Sequence, residues 1–209
     1  MSTSLLPVPL APEISLHLAD DKVGLLDGTG GEFSTDVPLP FWLFVWAGGQ
    51  ALARYVLDRP ELVRGRTVVD VASGSGVAAI AAAKAGASAV TALDVDPRAV
   101  EAAVRNAAAN DLVVEAHAGD IATADITADV FLAGDVYYTA RVADRMTARL
   151  RRANREGARV LVGDPGRGFF PTKLFTQVAE YVVPVPPALE ETGSLVTGVW
   201  EMRTTITAR

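Results

Sequence analysis

The chain has 209 residues, half of them hydrophobic, with 19 Lys and Arg against 25 Asp and Glu, a formal charge of -6, and no cysteine. That is enough chain for one core without staples, and the missing cysteines exclude disulfide frameworks, zinc-thiolate sites and thiol nucleophiles, so a cytoplasmic setting is expected. The acidic balance opposes nonspecific nucleic-acid binding, which depends on neutralising phosphates, and no apolar run approaches the roughly 20 residues of a membrane helix, so neither partner is expected.

The N-terminus has no Lys or Arg ahead of its apolar residues and is broken by Pro7, Pro9 and Pro12, so it does not read as a signal peptide. Residues 1–47, with a strand-like stretch at Ile14–Leu18 and a Gly/Asp-rich segment at Asp27–Asp36, are expected to form an extension packed on a main domain of residues 48–209. A short helix is expected over Gly49–Leu57, ended by Pro60.

Strand and helix then alternate: strand Thr67–Val71, helix Val77–Ala85, strand Ala89–Leu93, and helix Pro97–Asn110 with proline at a favoured first position. Strands at Val113–Ala116, Val130–Ala133 and Arg159–Gly163 follow, with a helix over Thr139–Asn154. The alternation predicts an α/β fold with five parallel strands and helices on both faces. A short helix at Lys173–Ala179 is expected next. The runs Tyr181–Val185 and Leu195–Thr204, with only a loop between them, predict a closing antiparallel hairpin and a total of seven strands.

The stretch D-V-A-S-G-S-G, Asp70–Gly76, leaves one apolar strand and opens an alanine-rich helix, where backbone amides can approach a ligand closely. Gly74 and Gly76 permit the turn. Asp94, 20 residues after Gly74, ends the next strand and is placed to accept from two ribose hydroxyls. A bare G-x-G-x-x-A match also suits a nicotinamide dinucleotide. An acid at Asp70 is unusual in that setting and tolerable for a nucleoside without pyrophosphate, and Asp120 in A-G-D-I could accept from an adenine amino group. Each residue has a plainer use, glycines in a turn and aspartates as helix caps; their shared spacing favours the nucleoside. Ser73, Val95 and Ile121 are counted with the same candidate site. His17 and His117 have no metal-ligand spacing, and no metal site is expected.

Further motifs carry a resemblance: P-E-I-S-L-H-L-A from Pro12, P-F-W-L-F-V-W-A-G-G-Q-A-L-A-R-Y from Pro40, A-L-D-V-D-P from Ala92, N-A-A-A-N from Asn106, G-D-V-Y-Y from Gly134 and G-D-P-G-R from Gly163. Together they resemble the seven-strand protein-lysine methyltransferases that act on the electron-transfer flavoprotein β subunit, which are related to the ribosomal-protein methyltransferases. The resemblance implies a Rossmann-like class I methyltransferase fold and S-adenosyl-L-methionine as cofactor. It also implies a protein substrate, either that β subunit or a ribosomal protein, and a catalytic pair formed by Asp135 and Tyr138. Trp46, with Gly48 and Gly49, is implied in the cofactor pocket, whereas Phe41, Trp42 and Phe44 are expected in the core.

Two departures stand out. Ala72 replaces the first glycine of the family turn, which costs little if its backbone angles are ordinary, and Tyr137 stands where the family often has Phe. Arg141, Arg145, Arg149 and Arg152 share one helix face, expected to be solvated unless it docks an acidic protein. Arg167 is expected to serve the turn of G-D-P-G-R. The other readings are a small-molecule methyltransferase, a non-catalytic S-adenosylmethionine-binding protein and a nicotinamide-dependent oxidoreductase.

Overall fold

The structure is a computed structural model, and it describes residues 3–19, 40–186 and 192–204. The Gly/Asp-rich segment Asp27–Asp36 lies outside the described residues. Strands β1 (Thr3–Val8) and β2 (Ala11–Ala19) pair antiparallel in a small sheet of their own. Helix α1 (Ala47–Asp58) leads to β3 (Thr67–Val71), α2 (Val77–Lys84), β4 (Ala89–Asp94), α3 (Pro97–Ala108) and β5 (Glu115–Ala118). Then come β6 (Val130–Gly134), α4 (Ala140–Arg155), β7 (Arg159–Asp164), β8 (Phe175–Pro184) and β9 (Ser194–Met202). The main sheet has the order β5-β4-β3-β6-β7-β9-β8. Its first five strands run parallel, and β9 is antiparallel to both β7 and β8. The seven-strand sheet with its closing hairpin is therefore as expected.

Consecutive strand residues point to opposite faces, and the apolar runs fill both. Val68, Val130, Leu132 and Leu161 join a core with α1, α2, α3 and the β1–β2 hairpin. Val69, Phe131, Ala133, Val160 and Val162 join a second core with α4 and the segment that links β7 to β8.

The N-terminal hairpin is tied in by buried amides. Gln50 accepts from Leu10 N and donates to Val45 O and Pro184 O. Asn106 accepts from His17 N and donates to Ser75 O, so one side chain joins the hairpin to the glycine turn. The expected boundary between residues 47 and 48 falls in the first turn of α1.

Two local expectations fail, and one strand was not read from the sequence. The helix at Lys173–Ala179 is absent: a 3-10 turn, Thr172–Leu174, is followed at once by β8, whose pairing with β9 satisfies backbone groups that a short helix would leave open at its ends. Strand β5 starts two residues later than read, leaving Val113 90% exposed, because this edge strand has only β4 to set its register. Strand β1 escaped notice because Pro7 and Pro9 argue against a strand, yet Pro7 is tolerated in a hairpin with a free edge.

Candidate active site

Every candidate residue apart from Trp46 lies at or just beyond the carboxyl ends of β3–β6, the edge where parallel sheets bind ligands; Trp46 is the N-cap of α1, which lies against the ends of β6 and β7. At the end of β3, Asp70 is buried and its Oδ2 accepts from Ser73 Oγ at 2.6 Å and Ala79 N at 3.0 Å, so it holds the turn to the first turn of α2. Burial pushes its carboxyl up to about 7 against the lowering effect of these bonds. Gly76, the N-cap of α2, has φ +84, and a Cβ there would stand 3.0 Å from the Ala103 backbone. Gly74 has φ +54 with open space where a Cβ would be. Ala72 has φ +52 as well, so the condition under which its replacement of glycine costs little is not met: the residue sits in the left-handed region.

Gly74 N donates to Asp94 Oδ2 at 2.9 Å, and Asp96 N donates to Asp94 Oδ1 at 3.0 Å. This clasp brings the ends of β3 and β4 together, and burial holds the Asp94 carboxyl above the usual range. Next to it in the chain Val95 is 70% exposed, whereas Ile121 is buried in the second core. Asp120 is already engaged: it accepts from Ala122 N and pairs with Arg145, and both contacts lower its pKa.

The second half of the edge is built by backbone contact. A Cβ on Gly163 would collide with Gly48 O, one on Gly48 with Gly163 O, and one on Gly134 would stand 2.8 Å from Gly49 N. The N-terminus of α1 therefore rests directly on the ends of β6 and β7. Asp135, the residue after β6, has φ +54 and is buried. Its Oδ2 accepts from Gly48 N and Gly49 N, the latter at 3.3 Å, and its Oδ1 accepts from Arg167 Nε at 3.2 Å. Burial raises its carboxyl to about 6, with Arg167 pulling the other way. The cap thus serves α1, far upstream in sequence; the next helix, α4, is capped by Thr139.

Around this carboxylate lies an aromatic row. Trp46 donates through Nε1 to Phe41 O, its ring lies 5.8 Å from Phe41, and Arg167 stands 5.6 Å from its centroid. Tyr138, half exposed, lies 6.4 Å from Phe41. Tyr137 instead is fully buried against Phe170 and Phe175.

Two residues of this group were assigned otherwise from the sequence. Phe41 is 43% exposed and joins Trp46 to Tyr138, where core packing was expected. Arg167 does more than make a turn. Its position after the strand end in G-D-P-G-R was the available signal. The arginine row also divides. Arg149 is buried over the Phe131 ring and donates to Ile126 O, so it is not on a solvated face; Arg145 and Arg152 pair with Asp120 and Glu156.

The family model for the ribosomal protein L11 methyltransferase (PrmA) matches residues 50–162. The electron transfer flavoprotein beta subunit lysine methyltransferase of Rattus norvegicus is 39% identical over 173 residues, covering 78% of this chain. That of Danio rerio is 36% identical over 198 residues, covering 91% of this chain and 76% of its own length. The chain belongs to this methyltransferase family. It spans 66% of the length of the rat relative. Among solved structures, magnesium protoporphyrin IX methyltransferase (ChlM) from Synechocystis PCC 6803 with bound SAM has a TM-score of 0.56 at 14% identity, covering 74% of this chain and 78% of that one. At that identity the likeness concerns the fold, which is that of the class I methyltransferases. No described helix is long and apolar enough to cross a membrane.

Proposed function

We propose that this chain is an S-adenosylmethionine-dependent protein-lysine methyltransferase whose substrate is the electron-transfer flavoprotein β subunit or a ribosomal protein. The observation that carries the reading is the adjacency, in a member of this family, of the Gly74–Asp94 clasp to Asp135 and Tyr138 across the paired strands β3 and β6. A cytoplasmic setting goes with it.

The residues fit the cofactor. Gly74 leaves open space at the turn, Asp94 retains acceptor capacity for ribose hydroxyls beyond its two backbone bonds, and Val95 offers an exposed apolar surface for a base. Asp70 and Ser73 support the turn, Gly76 starts α2, and Ile121 floors the adenine side. Asp120 serves the adenine amino group if Arg145 shares it. Trp46 walls the methionine end. When bound, the cofactor supplies a methyl group activated on a sulfonium.

The protein's task is then to present an unprotonated amine in line with that methyl, since orientation supplies roughly 7 to 11 kcal/mol. Asp135 is a carboxylate above pH 6 and cannot serve as a strong base for an ammonium, whose pKa its charge would raise. Its work is aiming. Of the about four acceptor sites on a carboxylate, Gly48, Gly49 and Arg167 use three, leaving one on Oδ1 for an amine N–H. Tyr138 and Phe41 pack the aliphatic stem, and the proton leaves to water.

The test is transfer of labelled methyl groups to purified electron-transfer flavoprotein β subunit and to ribosomal protein L11, with mass spectrometry locating the modified residue. The expected result is methyllysine on one of them, loss of transfer in Asp135→Ala, and retained S-adenosylhomocysteine binding by that variant. Wild-type turnover in Asp135→Ala overturns the reading.

A further inference from the structure

Beyond Asp135, on the β9 side of β7, lies a cavity of about 200 Å³ lined by Asp164, Gly166, Gly168, Phe170, Thr172 and Trp200. None of these residues has a part in the reaction described above. Asp164 ends β7 and is buried. Its Oδ1 accepts from Gly166 N at 2.7 Å and from Arg167 N at 3.2 Å, whereas Oδ2 is buried with no partner among the described residues. A buried carboxylate oxygen left unmet is costly, and burial holds this carboxyl above its ordinary range.

The other walls are aromatic. Phe170 and Trp200 lie with ring centroids 5.1 Å apart. The Trp200 indole lies over Gly198, two residues back, because that residue has no side chain: a Cβ there would collide with the indole Nε1 and stand 2.9 Å from Cε2. Gly198 is also the β9 partner of Asp164, so the indole lies over the register position of the carboxylate. Arg167 offsets part of the Asp164 charge, but no described group donates to Oδ2, and aromatic faces beside a carboxylate oxygen left open in this way suit an organic cation better than an anion. Neutral apolar groups would leave the oxygen unmet.

The cavity is also tied to the candidate active site. Arg167 donates its backbone N–H to Asp164 and its Nε–H to Asp135, and Gly134 pairs with Gly163, so the two aspartates follow register neighbours. From β6 to β9 is two strand spacings, about 10 Å, which an extended peptide covers in about three residues.

We propose that this cavity is a subsite for a second basic side chain, lysine or arginine, of the protein substrate, two or three residues from the lysine that is methylated. The inference rests on the protein-lysine reading above, and its test has an arm that does not.

The first arm follows the Trp200 indole ¹⁵N–¹H signal, assigned with Trp200→Phe, during titration with n-butylammonium, n-propylguanidinium and n-butanol. The two cations should shift the signal saturably and the alcohol should not. The isosteric Asp164→Asn, which keeps Oδ1 for the turn, should weaken the cation response at least about tenfold. The second arm measures methyl transfer: in Asp164→Asn the KM for the protein substrate should rise about tenfold, with the KM for S-adenosylmethionine within about twofold of wild type. No cation response in the wild type, or an equal one in Asp164→Asn, overturns the proposal. So does cation binding with an unchanged protein KM. If neither candidate protein is methylated, the functional reading fails, while the titration still decides whether the cavity takes cations.

Discussion

The carboxyl ends of β3 and β6 each present a buried aspartate at the same edge of the sheet, yet the two acids are held in different ways. Asp70 is a local device: it binds Ser73 and Ala79 within its own strand-turn-helix unit, using one oxygen for both. Asp135 is a long-range device: it takes two amides of α1, 86 and 87 residues upstream, and the guanidinium of Arg167, 32 residues downstream. The glycines differ in the same sense. Gly74 and Gly76 are needed for positive φ, whereas Gly48, Gly134 and Gly163 are needed because backbones touch. The first half is a turn that shapes itself. The second half exists only when three distant segments meet.

That contrast can be broken by substitution. Asp135→Asn should have the largest effect on activity, with transfer falling at least about a hundredfold, because one oxygen that accepts from N–H donors becomes a donor itself. Single-turnover assays at saturating cofactor check it. Gly163→Ala should cost about 3 kcal/mol, at the upper end for overpacking, since both colliding atoms belong to backbone. Its urea midpoint should drop with little change in slope, and Arg167 and Asp135 should lose alignment.

The acid pair also predicts a pH effect. The folded-state pKa of Asp70, about 7, exceeds the ordinary 3.8, so the fold favours the protonated form. Stability from this group is fully present below 3.8 and is lost as pH rises through about 7. Between pH 5.5 and 7.5 the loss should be roughly 2 kcal/mol. Subtracting Asp70→Asn curves from wild-type curves isolates it, and a flat difference would refute the burial argument.

The smallest effects belong to the local turn. Gly74→Ala meets open space and should cost only about 1 kcal/mol for its backbone angle, and Ala72→Gly should return about as much. Thermal or denaturant melts check both, and a loss for Gly74→Ala as large as that for Gly163→Ala would remove the distinction between the two halves.

Sequence alone determined the strand-helix alternation, the closing hairpin and the glycine turn after β3. Their signals are periodic or lie within short spans: apolar runs that fill two faces, glycines at a strand end, an aspartate 20 residues on. It also singled out Asp135 and Tyr138, through resemblance and not through any local cue. Only the tertiary structure decided what Asp135 touches, that Phe41 belongs to the aromatic row, that Arg149 is buried, that Ala72 is left-handed, and that Asp164 faces a cavity under Trp200. These features are contacts between segments far apart in the chain, and pattern within one segment carries no record of which distant backbone will be pressed against it. The failed helix at Lys173–Ala179 follows the same rule, since pairing with β9 outweighed a weak local preference.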